Sequence, residues 1–188
     1  MYIERILCPI VTLGPGKRLV IWTKGCSKKC DGCISPEMAV IGNARNVSVQ
    51  DICVIVSNIH KSEGFDGITI SGGDPLEQLP ELIELLENLR TYTDDILVYT
   101  GFVWPVFSQK LEKDEIKKIK SLISVLIDGP YIHEQNIPQL SLRGSLNQNI
   151  IFFDEAQKKK YEEYMSEGRK LQNIYIDEKL LTVGIMDK

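Results

Sequence analysis

Short apolar runs rich in β-branched and aromatic residues alternate along this chain with amphipathic helical patterns. The runs are Leu19–Trp22, Gly67–Ser71, Ile96–Thr100, Ile123–Ile127 and Ile150–Phe153, each of a length that suits a buried strand. Strand–helix alternation implies parallel strands joined by crossover helices. The expected fold class is therefore α/β: a partial (open) β/α barrel of about six parallel strands, with flanking N-terminal and C-terminal strands. At 188 residues the chain suits one domain, 1–188, with a core over about 14–154 and a charged helix and hairpin over 155–188.

The helical patterns carry their own punctuation. The first opens at Ser48, with Asp51 three residues on in a capping-box arrangement, and continues through Ile52, Ile55, Val56 and Ile59. The second runs from about Leu79 to Arg90, with Pro80 in its first turn and Leu82, Ile83, Leu86 and Leu89 on one face. A weaker third covers Lys113–Ser121. Before them, Ile3–Val11 alternates loosely ahead of Leu13-Gly14-Pro15-Gly16, which suggests an N-terminal hairpin or flanking strand. After them, Asp154–Lys170 reads as a solvated helix, and Asn173–Ile185 as two short strands around Asp177-Glu178-Lys179.

Composition narrows the function classes. A net charge of −4 does not favour a nucleic-acid surface. The apolar runs fall far short of the roughly 20 residues that span a bilayer. No export-type leader pattern is visible, so a cytoplasmic protein is expected. Five cysteines, three of them within eight residues, point to metal binding in a reducing compartment rather than to a disulfide framework.

Those three are Cys26, Cys30 and Cys33, spaced C-x-x-x-C-x-x-C directly after the first main strand. Ligands bind at the carboxyl ends of parallel strands, where this loop must lie. Three thiolates can hold three corners of a cubic iron–sulfur cluster, leaving a fourth iron open for a substrate. Gly25 and Gly32 let backbone approach a cluster, and Lys24, Lys28 and Lys29 offset its negative charge. The alternatives are a zinc site or spare thiols. Structural zinc usually takes four ligands, and the only histidines, His60 and His133, are remote in sequence.

A second motif follows the second strand: Ser71-Gly72-Gly73-Asp74-Pro75. On its own this is ordinary strand-to-helix punctuation. Downstream of a three-cysteine loop it gains meaning, because two glycines expose backbone to a ligand and Asp74 can hold a cationic group such as an α-ammonium.

Together the two motifs resemble the radical S-adenosylmethionine (SAM) superfamily. Tyr99-Thr100-Gly101-Phe102, Val125–Tyr131 (Val-Leu-Ile-Asp-Gly-Pro-Tyr) and Arg143-Gly144-Ser145-Leu146-Asn147-Gln148 further resemble the branch of anaerobic ribonucleotide reductase activating proteins. The resemblance covers about residues 14–150. It implies a single radical SAM domain in which Cys26, Cys30 and Cys33 ligate a 4Fe–4S cluster. It also implies reductive cleavage of SAM to a 5′-deoxyadenosyl radical, which abstracts hydrogen from a glycine of a partner glycyl-radical enzyme under anaerobic conditions. Ser71, Gly72, Gly73 and Asp74 would hold the methionyl part, and the backbone of Gly32 would reach the adenine. Thr100 and Asp128 would make a polar contact or hold a monovalent cation, and Arg143 and Asn147 would contact cofactor or substrate. The implied partners are an anaerobic ribonucleotide reductase and a flavodoxin or ferredoxin-type electron donor. Two alternatives stand beside this: a minimal radical SAM enzyme acting on a peptide, nucleoside or other small molecule, and a non-enzymatic iron–sulfur electron-transfer module.

The remaining conspicuous residues read as structural. Cys53 and Cys8 suit apolar packing, and His60 suits the C-terminal end of the first helix. Trp22 is expected beneath the cluster. Trp104 reads either as a core anchor or as an exposed partner contact, and Lys158–Lys160 as a solvated face. His133 is a minor candidate for approach to the site.

Overall fold

In the computed structural model, which describes residues 1–42, 44–176 and 178–186, the apolar runs become the centre of one sheet. Its strands are β1 (Tyr2–Ile10), β2 (Arg18–Thr23), β3 (Arg45–Asn46), β4 (Gly67–Gly72), β5 (Ile96–Tyr99), β6 (Val125–Asp128) and β7 (Asn149–Phe152), in the order β3-β1-β2-β4-β5-β6-β7. The middle four, β2, β4, β5 and β6, run parallel. These strands are covered on both faces, which is why their sequences read as nearly continuous apolar runs.

Side chains alternate across that sheet. Leu19, Ile21, Ile68, Ile70, Ile96 and Val98 face one way. There they meet helices α1 (Val49–Ser62) and α2 (Leu79–Leu89), with α4 (Lys113–Leu122) alongside α2 and the short α3 (Trp104–Phe107) preceding it. Leu82, Leu85, Leu86 and Leu89 of α2 are fully buried. At about 1.5–3 kcal/mol for each such side chain, this packing rather than helix propensity holds α2 in place. Ser48 caps α1 by accepting the Asp51 amide at 3.1 Å.

Val20, Trp22, Leu97, Val125 and Ile127 face the opposite way. They are covered by the C-terminal extension: helix α5 (Lys158–Ser166) and the separate antiparallel hairpin β8 (Leu171–Ile176) and β9 (Lys179–Gly184). The chain is thus a mixed α/β fold with helices on one face and the extension on the other. Of the expected hairpin turn, Asp177 lies outside the described residues.

Three expectations need correction. Among the described residues the parallel strands number four, not about six, because β1 and β7 pair antiparallel to their neighbours. The segment 129–148 contains no crossover helix, so the chain re-enters the sheet from the end at which β6 left it. The charged segment after Asp154 is also not merely solvated, since Tyr161 and Tyr164 of α5 are buried against β5 and β6. Within the supposed solvated face, Lys160 Nζ lies 2.5 Å from the buried Asp95 carboxylate.

Trp104 is a core anchor, packed edge-on against Phe153 at 5.4 Å between ring centres. Cys8 and Cys53 pack against the helix-side core. His60 stacks edge-on to Phe65 and Tyr92.

Candidate functional site

The cysteine loop leaves the C-terminal end of β2 and is pinned at both ends of its first turn. The Gly25 amide donates to the Met38 carbonyl at 2.9 Å and the Cys26 amide to Ala39 at 3.0 Å. The Gly25 amide is therefore committed to the loop rather than turned to a cluster sulfur. The side chains of Cys26, Cys30 and Cys33 are all half-buried.

The Gly72-Gly73 turn at the end of β4 lies flush against this loop. A Cβ on Gly72 would stand 2.3 Å from the backbone N and O of Thr23, and one on Gly73 would stand 2.3 Å from the Gly25 carbonyl oxygen. The Gly73 and Asp74 amides then donate to Thr23 at 2.8 Å and to Gly25 at 2.7 Å. The two glycines are needed because two backbones meet there, and the contact joins the two sequence motifs into one structure.

Asp74 is fully buried. Its carboxylate accepts from the Thr100 hydroxyl at 2.8 Å, the Gly101 amide at 3.0 Å and the Leu76 amide at 3.1 Å. Burial nevertheless outweighs these bonds and holds the group up at about 6. Asp74 fastens the end of β4 to the loop after β5.

Thr100 and Asp128 are likewise committed internally. The Thr100 hydroxyl also accepts the Phe102 amide at 3.1 Å. Asp128 accepts the Trp104 amide and the Asn149 side-chain amide, each at 2.7 Å. These partners join β6 to β7 and α3. Arg143 donates to the Gln148 carbonyl at 2.7 Å. Asn147 donates to the Pro130 carbonyl at 2.7 Å, while its Oδ1 is buried without a partner among the described residues.

Sequence reasoning missed Glu77. Its carboxylate accepts the Ser27 amide at 2.7 Å and the Ser27 hydroxyl at 2.5 Å. Lys28 Nζ stands 3.6 Å from the same carboxylate and 3.2 Å from the centre of the Phe102 ring, which clamps the loop from the side. An acid three residues after Asp74, in the first turn beyond Pro75, was the available signal. Cys26 Sγ lies within 4.8 Å of the Asp74 and Glu77 carboxylate oxygens. Burial first, and those carboxylates in addition, push the Cys26 thiol up, so binding a metal there releases a proton.

A cavity of about 300 Å³ opens between the motifs, lined by Gly32, Cys33, Ser71 and Gly72 with Trp22 and Tyr99 among its other walls. Tyr131 and His133 close around Gly32, within 3.4 Å of where its Cβ would stand, which brings His133 to the site's rim.

The 4Fe–4S single cluster domain family matches residues 12–151. The chain belongs to this family. Within it, the relatives place the chain in the radical SAM glycyl-radical activase branch. The anaerobic ribonucleoside-triphosphate reductase-activating protein of Enterobacteria phage T4 is 32% identical over 146 residues, covering 73% of this chain and 85% of the relative. Its namesake in Escherichia coli (strain K12) is 28% identical over 146 residues, covering 73% and 89%. The pyruvate formate-lyase-activating enzyme of Staphylococcus epidermidis is 31% identical over 147 residues, covering 74% of this chain and 56% of that enzyme.

The residues suit the family's cofactors, a 4Fe–4S cluster and SAM. One loop supplies three soft thiol donors of the kind iron–sulfur clusters take. The end of β4, at Ser71 and Gly72, lines the adjoining cavity. Beside it, in the loop before β7, Asn147 keeps a buried, unpaired acceptor.

Proposed function

We propose that this chain activates an anaerobic ribonucleotide reductase by removing a hydrogen atom from a glycine Cα of that partner. Cys26, Cys30 and Cys33 hold the cluster, while Ser71 and Gly72 present backbone to the methionyl end of SAM. Gly32 faces the adenine. Once reduced, the cluster that these cysteines would hold would supply the electron for cleavage of the SAM sulfonium and so the radical chemistry of hydrogen abstraction. Gly73, Asp74, Thr100 and Glu77 position the loop, and Asp128 fixes the neighbouring strand ends. Arg143 and Asn147 shape the segment that borders the cavity.

The meeting of Gly32-Cys33 with Ser71-Gly72 in one cavity supports this reading above all. We take the sheet to curve around it as a partial β/α barrel. A flavodoxin or ferredoxin supplies the electron in the cytoplasm. Among the described residues no helix is long and apolar enough to cross a membrane.

The test is anaerobic reconstitution with iron and sulfide, followed by reduction in the presence of SAM and an anaerobic ribonucleotide reductase of the same organism. Bound iron and sulfide, 5′-deoxyadenosine and a glycyl radical seen by electron paramagnetic resonance are expected. Absence of 5′-deoxyadenosine above background refutes the chemistry. Its presence with no glycyl radical refutes the partner.

A further inference from the structure

The residues beyond the family match fold back across the sheet face opposite the helices and reach the cavity with their last strand. They are fastened in two stages. The root is α5, where the buried Tyr161 donates its hydroxyl to Asp95 at 2.7 Å and Tyr164 donates to the Val11 carbonyl at 3.2 Å. The tip is held by its antiparallel pairing with β8, by backbone-directed hydrogen bonds, and by Val183 with Leu181 and Ile185 packed against the same apolar cluster. Thr12 donates its hydroxyl to the Val183 carbonyl at 3.1 Å, and Asn136 donates its side-chain amide to the Met186 carbonyl at 3.1 Å. Val183 itself is buried beside Trp22 and Met38.

Six consecutive residues, Leu181 to Met186, form one wall of the cavity that Cys33, Ser71 and Gly72 also line. At about 300 Å³ that cavity sits at the lower bound for small-ligand pockets. It has room for one small molecule. Hydrogen transfer from a backbone glycine needs the reacting atoms within about 3–3.5 Å of one another, and Leu181–Met186 is the wall of extended chain that a partner segment would replace to come that close. The occupying segment matches what it excludes. It is extended, and it places Gly184, flanked by Val183 and Ile185, at the cavity wall.

We propose that Leu181–Met186 is a built-in occupant of the partner's channel, which an extended glycine-bearing segment of the partner must displace. The proposal rests on the activase reading of the site. Displacement unpairs or carries away β9 with its partner β8 and leaves α5 docked, because α5 has its own anchors at Asp95 and Val11. The extension thereby decides which polypeptides reach the cofactor: only those that can replace an apolar strand of this shape.

Two full-length variants weaken the tip alone. Thr12→Val removes one hydroxyl donor at nearly constant shape. Gly184→Ala places a Cβ 2.2 Å from the Lys170 carbonyl oxygen at a backbone φ of +145°. The probes are amide hydrogen exchange followed by mass spectrometry, and binding of a fluorescent peptide copied from residues 179–186. Exchange over 181–186 should quicken about fivefold in Thr12→Val, the size expected for one lost hydrogen bond, and more in Gly184→Ala. Exchange over α5 should stay unchanged. The peptide should bind Gly184→Ala at least about fivefold more tightly than the natural chain, whereas Thr12→Val, which takes the same hydroxyl from peptide and internal strand alike, should bind it no more tightly.

Exchange over 181–186 equal to that of the natural chain in either variant, or peptide binding to Gly184→Ala no tighter than to the natural chain, overturns the proposal. If Gly184→Ala does not fold, exchange in Thr12→Val alone decides. The activase reading is judged separately, by 5′-deoxyadenosine from the natural chain. Its absence refutes that reading, whereas its presence with unaltered variants refutes the occupant.

Discussion

Replacing Asp95 by asparagine should cost this fold about 3 kcal/mol without touching the cofactor site. Arg18, at the start of β2, is wholly buried, and its guanidinium reaches the Asp95 carboxylate at 2.9 Å. Its other donors meet Thr69 Oγ1 and the Ile68 carbonyl, each at 2.6 Å, and the Pro15 carbonyl at 3.2 Å. Asparagine preserves shape and an acceptor for Tyr161 but leaves the guanidinium buried without a counter-charge. Losing one partner of a buried pair costs about 3–5 kcal/mol. The lower end applies here, because the polar contacts of Arg18 persist and Lys160 can turn to solvent. For a chain of this size the melting temperature should fall by about 6–12 °C.

The pH dependence has a definite sign. Burial alone raises the Asp95 carboxyl, yet Arg18, Lys160 and Tyr161 override it and hold the group below the ordinary carboxylate range. A depressed native value stabilises the fold above the unfolded value of about 3.9, and the contribution is lost as pH falls through the native value. The gap between natural chain and variant should therefore be full at pH 7 and shrink on acidification below about pH 4. Urea unfolding followed by circular dichroism at both ends of that range measures it. A loss under about 1 kcal/mol at pH 7, or a gap that widens in acid, refutes the argument.

Other substitutions probe the site. Cys26→Ala, Cys30→Ala or Cys33→Ala should each abolish stable cluster incorporation, read from bound iron and visible absorbance, whereas Cys53→Ala should keep both. Gly73→Ala forces a Cβ to 2.3 Å from the Gly25 carbonyl, so it should destabilise the fold by about 1–3 kcal/mol and speed iron loss to a chelator. Glu77→Ala removes the acceptor for Ser27 and the counter-charge of Lys28. Iron loss should accelerate while global stability changes by less than about 1 kcal/mol, and unaltered chelation kinetics would show that Glu77 does not brace the loop.

What the chain revealed before folding, and what it hid, follows from the range of the interactions. Leu19–Trp22, Gly67–Ser71 and the Ser48 cap are local patterns, and each became the element expected. The cysteine and Gly-Gly motifs are also local, and both ended at one cavity. Arg18 went unnoticed because one arginine beside a strand resembles any surface charge. Its partner lies 77 positions away. Lys160 and Tyr161 misled for the same reason, since a charged helix conceals the tyrosines it buries. Asp74, Thr100 and Asp128 have residue types that suit a ligand, and only coordinates show their oxygens already engaged with Gly101, Phe102 and Trp104. The antiparallel entry of β7 depended on a missing helix, which apolar periodicity within the strand cannot report.

The separate rooting of α5 has a kinetic consequence. A strand tethered to its own groove through the link 167–170 and its hairpin partner β8 competes at an effective concentration in the millimolar range. A free peptide competes only when supplied at concentrations approaching that range, as the binding test requires. A large partner that first docks elsewhere on the protein presents its segment from an equally short distance and meets the internal strand on even terms. Access to the cofactor then depends on how firmly the whole partner is held, and stray polypeptides are turned away even when their local sequence would fit.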